Sequence, residues 1–231
     1  MTRRPMTFAA AALTGVALVL PVDLPAQAAT PTALSVAQRL TVKGRAPKTG
    51  YDRAKFGTAW TDNNPAPWGH NGCSTREDIL RRDLSQLRFK KSGRCTRVVT
   101  TGRLTDPYTG KVINFVRGRG TSSKVQIDHV VPLADAWQKG AQQWSTATRV
   151  AFANDPLNLL AVDGPTNQKK GAGDAATWLP PNKGFRCRYV ALQVAVKAKY
   201  RAWVTAAEKS AMIRILQGCK GMKLPTEPGG R

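Results

Sequence analysis

The stretch Val125-Gln126-Ile127-Asp128-His129-Val130-Val131-Pro132 decides how this chain reads. Apolar residues alternate at its start, the period of a half-buried strand, and Pro132 closes the run. Downstream, Asn154-Asp155-Pro156-Leu157-Asn158-Leu159-Leu160-Ala161-Val162 reads as a second short strand. Pro165-Thr166-Asn167-Gln168-Lys169-Lys170 then opens a helix, with Pro and Thr suited to its first turn. The expected order is strand, loop, strand, helix. Neighbours on a strand point to opposite faces. Asp128 and His129 therefore reach one site only if the strand ends there and the backbone turns, as Pro132 suggests.

Asp128 can offer a carboxylate oxygen to a hard cation, and His129 can then address a water beside it. An ordinary imidazole pKa near 6.5 would leave His129 neutral for that task at neutral pH. Asn167 adds a second oxygen donor. Two protein ligands leave several positions for water and phosphate, an arrangement that suits Mg²⁺. Plainer roles stand beside these. Asn158 can simply brace a turn, and Asn167 can cap a helix. Asp135 is either a hydrogen-bond partner for His129 or a solvated acid. The other of the chain's 2 histidines, His70, sits in the turn-like Trp68-Gly69-His70-Asn71-Gly72 and reads as surface structure. Trp137, Trp144 and Trp178 read as core.

Charge narrows the partner. Lys and Arg number 36 against 14 Asp and Glu, a net charge of +22. So large an excess calls for a polyanion, with nucleic acid (DNA favoured) ahead of anionic membrane and cell-wall polymers. Arg117, Arg119 and Lys124 precede the Asp128-His129 strand, and Lys169 and Lys170 lie on the downstream helix. These are the candidate phosphate contacts, with a solvated face as the alternative for the first three.

The N-terminus describes an export signal over 1–28: Arg3 and Arg4, an apolar run from Phe8 to Leu20, then Ala26-Gln27-Ala28. The run is too short for a membrane span of about 20 residues. The expectation is a secreted, extracellular protein with no membrane association and no obligate protein partner. The remaining divisions are a tether over 29–50 with one short helix near 34–40, a folded domain over 51–219, and a loose polar tail over 220–231.

An exported chain with 4 cysteines and no C-x-x-C pair favours two disulfides over a zinc site. Ser74 and Glu77 fit a capping box opening a helix over 75–88, and a return strand brings Cys95 back to Cys73. Tyr189, Leu192, Val196, Tyr200 and Trp203 share a helical face. Thr205 and Glu208 open a second helix that Gly218 should end. Two antiparallel helices place Cys187 near Cys219. The expected bridges are therefore Cys73–Cys95 and Cys187–Cys219. Between the halves, 96–104 and 111–116 flank the turn Asp106-Pro107-Tyr108-Thr109-Gly110 as a hairpin.

As a set, D-P-Y-T-G, Q-I-D-H-V-V-P-L-A-D-A-W, N-D-P-L-N-L-L and T-N-Q-K-K-G resemble the HNH, or ββα-metal, nuclease superfamily. They are most similar to the branch of secreted actinobacterial-type HNH proteins related to GmrSD nucleases. The resemblance spans roughly 51–219. It implies an α+β fold with a ββα-metal core, flanking helices and two disulfides. It implies phosphodiester hydrolysis with little sequence preference, leaving 5′-phosphate ends. By position, Asp128 resembles the metal-binding acid and His129 the general base. Asn158 resembles the middle Asn that helps orient that base. Asn167 stands where a metal-binding His is frequent, making an H-N-N variant; its oxygen suits Mg²⁺ or Mn²⁺ better than Zn²⁺. The rival reading is a non-catalytic cationic binder of nucleic acid or cell wall, which explains the charge but not these four residues. A secreted toxin would share the nuclease chemistry but should bring a delivery domain or immunity partner. A different hydrolase ranks last, because no G-x-S-x-G, H-E-x-x-H or Walker motif is found.

Overall fold

A computed structural model describes residues 1–2 and 30–226 of the chain. All but the first two residues of the expected export signal, and 227–231 of the expected tail, lie outside the described residues. In chain order the elements are α1 (Ala33–Arg39), α2 (Thr75–Asp83), β1 (Ser85–Ser92), β2 (Cys95–Thr105), β3 (Val112–Val116), β4 (Val125–His129), α3 (Leu133–Trp137), α4 (Thr146–Asn154), β5 (Leu159–Asp163), α5 (Gly164–Lys170), α6 (Arg186–Tyr200) and α7 (Ala206–Gln217). The fold is mixed α+β. One sheet runs β1-β2-β3 and a second pairs β4 with β5, both antiparallel.

Two apolar cores divide the molecule. The larger gathers α1, α3, α6 and α7 around Val130, Val131, Tyr189, Val194 and Met212. The smaller lies between α2, the three-stranded sheet and the β4-β5 pair, around Ile79, Val99, Phe115, Val125 and Ile127. The β4-β5 pair contributes to both cores, with Val125 and Ile127 in the smaller and Val162, beside Val130 and Val131 just past β4, in the larger. α5 packs back onto both of its strands. Its start is fixed by Asp163, whose carboxylate accepts from Thr166 N at 2.9 Å, and Pro165 takes a first-turn position that needs no donor.

Both expected disulfides are present, Cys73–Cys95 and Cys187–Cys219. The route to the first differs from expectation. The helix does not run to residue 88: Leu84 turns to extended backbone (φ −96°, ψ 150°), and Ser85 pairs with Arg103 in a strand. The Leu84 and Leu87 spacing suited a helix, yet both side chains close on Gly102 across the sheet. The Ser74 capping box does not form either. The Ser74 side chain makes no cap bond, and Glu77 accepts Val99 N at 2.8 Å instead. Thr205 does cap α7, accepting from Glu208 N at 3.1 Å.

The short helix expected inside the 29–50 segment is α1, and it is docked. Ala33 and Ala37 are fully buried against α6 and α7. The beginning of the segment expected as a loose tail is held too, with Met222 O accepting Ala33 N at 2.8 Å and Leu224 N reaching Pro31 O at 3.0 Å.

Candidate active site

β4 ends at His129 against β5, with His129 opposite Leu159 and Asp128 opposite Leu160. The turn that follows is braced by one fully buried side chain. Asn158 accepts Val131 N on Oδ1 at 2.8 Å and donates Nδ2 to Val131 O and Phe152 O, each at 3.4 Å. Its backbone carbonyl accepts Val130 N at 2.8 Å. Asn158 makes no hydrogen bond to the His129 side chain; it fixes the backbone that directly follows His129.

His129 is buried, and its Nε2 lies 2.8 Å from Ala153 O. A carbonyl only accepts, so Nε2 carries the hydrogen and the neutral ring keeps its lone pair on Nδ1. Trp60 stacks on the ring, centroids 5.4 Å apart and planes 13° from parallel. Burial, with Arg53 and Lys170 nearby, takes the pKa from 6.5 to about 3, against the raising effect of the Ala153 bond. The ordinary imidazole pKa expected from sequence therefore does not hold: the ring is neutral, but it is a weaker base than a free imidazole.

Asp128 is enclosed by two donors. Tyr108 donates its hydroxyl to Oδ2, and Lys170 Nζ reaches Oδ1 at 2.9 Å and His129 O at 2.8 Å. Burial raises the Asp128 pKa, opposed by Lys170 and Tyr108. Burial and the adjacent Asp128 push the Tyr108 hydroxyl well above its ordinary range, so it stays a donor. Asn167 gives Nδ2 to Gln126 Oε1 at 2.9 Å, which leaves its own oxygen without a donor among the described residues. Asp128, His129, Gln126 and Asn167 line one cleft of about 480 Å³, with Tyr51, Arg53 and Arg76 among the other lining residues. The donor set suits a hard cation. A carboxylate has about four lone-pair directions; Tyr108, Lys170 and the His129 backbone N–H use part of them here, and the Asn167 amide is oriented by Gln126. No group of three or more His, Cys, Asp or Glu that could hold a metal ion occurs among the described residues, so any cation here would rest on Asp128 and the Asn167 oxygen with water.

Residues 74–215 match the family described as GmrSD restriction endonucleases, C-terminal domain. The chain belongs to this family. A secreted protein of Arthroderma benhamiae, described as uncharacterized, is 38% identical over 190 residues, 81% of this chain and 85% of that protein. No solved structure matches. Among the described residues no helix is long and apolar enough to cross a membrane.

Within this restriction-endonuclease family fold, the basic candidates separate. Lys170 is buried and turned inward onto Asp128, so it positions the acid rather than offering a free charge to phosphate. Arg117 is also committed, to Val99 O at 2.6 Å and to the Glu77 carboxylate. Lys169, Arg119 and Lys124 are exposed, and none of the three lines the cleft. Asp135 does not meet His129; it pairs with Lys139 at 2.6 Å and Lys197 at 2.9 Å. His70 is exposed on its turn, and Trp137 is buried in the core. Three site residues escaped the sequence reading: Tyr108, Trp60 and Arg53. Only Tyr108 had a signal, as the aromatic inside the D-P-Y-T-G turn. Asp106 holds that turn, accepting Thr109 N at 2.8 Å and Asp163 N at 3.0 Å, and this ties the turn to β5.

Proposed function

We propose that the chain is a secreted, divalent-cation-dependent endonuclease of the HNH type, hydrolysing phosphodiester bonds in DNA with little sequence preference. The observation that carries this reading is the meeting, at the end of β4, of a neutral imidazole with a bare nitrogen and an oxygen donor pair, Asp128 and Asn167, in one cleft. β4, β5 and α5 would be its ββα-metal core. The +22 charge supplies attraction for a polyanion.

His129 accepts a proton from water on Nδ1. The water oxygen bonds to phosphorus as the bond from phosphorus to the 3′ oxygen breaks, leaving a 5′-phosphate. Asp128 and Asn167 would hold Mg²⁺ or Mn²⁺, which when bound offsets charge developing on the phosphate and the departing oxygen. Tyr108 and Lys170 hold the Asp128 carboxylate in place. Ala153 O and Trp60 fix the His129 ring. The leader 1–28 would export the chain, with Ala29 as its new first residue. Two disulfides suit such a compartment.

The test is incubation of purified mature protein with supercoiled plasmid in Mg²⁺, with and without excess EDTA. Nicking or linearisation that EDTA abolishes and added Mg²⁺ restores is the expected result. Salt-sensitive binding with no cleavage under any cation would favour the cationic-binder reading instead.

A further inference from the structure

A second cavity adjoins the cleft and shares Arg53, Trp60, His129 and Leu133 with it. It measures about 310 Å³, at the small end of ligand pockets. Its character is the reverse of the cleft's. Phe56, Ala59, Leu133 and Ala153 make an apolar wall beside the Trp60 and His129 rings. Asn154, a buried polar residue in its lining, has its amide already engaged: Thr75 Oγ1 donates to Oδ1 at 2.8 Å and Nδ2 reaches Val150 O at 3.0 Å.

Trp60 is held in an unusual backbone state, φ +57°, which a bulky residue rarely adopts. Thr75 N donates to its carbonyl at 3.2 Å. Left-handed backbone at a large aromatic persists where the surroundings over-determine it, and such positions cluster at ligand sites. The exposed Arg53 side chain makes no hydrogen bond or ion pair to the described residues, and it lines both cavities. An unpaired guanidinium thus stands where a polar cleft meets an aromatic-walled pocket.

We infer that this pocket is a nucleobase subsite. It takes one unstacked base of the nucleotide flanking the phosphate in the cleft, with Trp60 as platform and Arg53 on the intervening phosphate. The inference rests on the cleft's reading as a phosphodiester site. Aromatic faces bind every base, and an engaged Asn154 reads no hydrogen-bonding edge, so the subsite favours single strands without choosing among bases. A duplex must first break a stack to fill it.

The experiment is fluorescence anisotropy of one labelled oligonucleotide, single-stranded and as duplex, in EDTA across a salt series. Trp60→Ala should weaken single-strand binding about tenfold and leave duplex binding within about twofold, with Trp60→Phe retaining most of the affinity. The Trp60→Ala salt slope should match wild type, whereas Arg53→Gln should lower the single-strand slope by about 0.7. Equal loss on both substrates, or no loss on either, overturns the subsite. Because binding is read without cleavage, the two readings fail separately. A protein that cuts plasmid without the Trp60 pattern loses only the subsite; one that shows the pattern but never cuts loses only the nuclease reading.

Discussion

Two clusters of buried charge are built from the same residue types and stand in different surroundings. At the end of β4, Lys170 meets Asp128 beside His129, and the group opens on a cleft. Between α3, α6 and α7, Lys139 and Lys197 meet Asp135, Asp174 and Glu208. Arg45 closes that second cluster, reaching Asp135 at 3.1 Å and Asp174 at 2.5 Å. Its three cations face three carboxylates, and none of the six lines the cleft. Complete pairing is how a protein tolerates charge in its interior. The first cluster keeps unused lone pairs, on Asp128, Asn167 and His129, toward open space. Buried charge therefore does not single out a candidate site by itself; the cluster that also borders a cleft is the candidate.

The largest expected effect separates the clusters by rate. His129→Ala should slow plasmid cleavage by roughly 10²–10⁴-fold, the worth of acid–base catalysis, while DNA binding survives on the untouched basic surface. His70→Ala, on an exposed turn, should change neither.

Next in size is the closed cluster. Lys197→Met leaves Asp135 and Glu208 short of a partner and should cost about 3–5 kcal/mol of stability in urea unfolding. Pairing it with Glu208→Leu should recover a good part of that. Cleavage per folded molecule should stay near wild type, because no member of this cluster touches the cleft. A folded Lys197→Met protein that has lost its cleavage would erase the distinction.

Acid should find the same cluster. Burial alone would raise the Asp135 pKa, but Lys197 and Lys139 outweigh it and bring it from 3.8 to about 2. A depressed carboxylate contributes stability that is fully present above the unfolded value and lost as pH falls through the folded one. Stability should therefore drop between about pH 4 and pH 2, by roughly 2 kcal/mol from this group. Urea midpoints measured across that range should fall more gently in Asp135→Asn. Smallest of all, Arg45→Ala should cost about 1 kcal/mol or less, since Arg45 is 35% exposed and solvent screens it.

Short-range signals made part of this legible. The end of β4 at Asp128-His129, the bracing Asn158, the Thr205 cap and both disulfides follow from residues close in sequence or from two elements joined by a turn. What escaped depends on contacts far along the chain. The first half of β1, 85–88, reads as helix because Leu84 and Leu87 keep helical spacing, and only its partner β2 makes it a strand. Nothing local says that Lys170 turns inward to a residue 42 positions away, or that Asp135 prefers Lys197, 62 positions on, to His129. Trp60 reaches His129 from a loop whose composition carries no period. Burial likewise sets the His129 pKa, and burial is not written in the neighbouring letters.

The most direct test of His129 as the base is chemical rescue. His129→Ala removes a ring between Trp60 and Ala153 O, and free imidazole has the shape to stack on that tryptophan and donate to that carbonyl. Plasmid cleavage should be followed in Mg²⁺ with increasing imidazole at fixed pH and ionic strength, for His129→Ala and Asp128→Ala together. The His129→Ala rate should start slow, then rise and saturate with imidazole, while Asp128→Ala stays slow. A His129→Ala protein that cleaves at the wild-type rate without imidazole would contradict it.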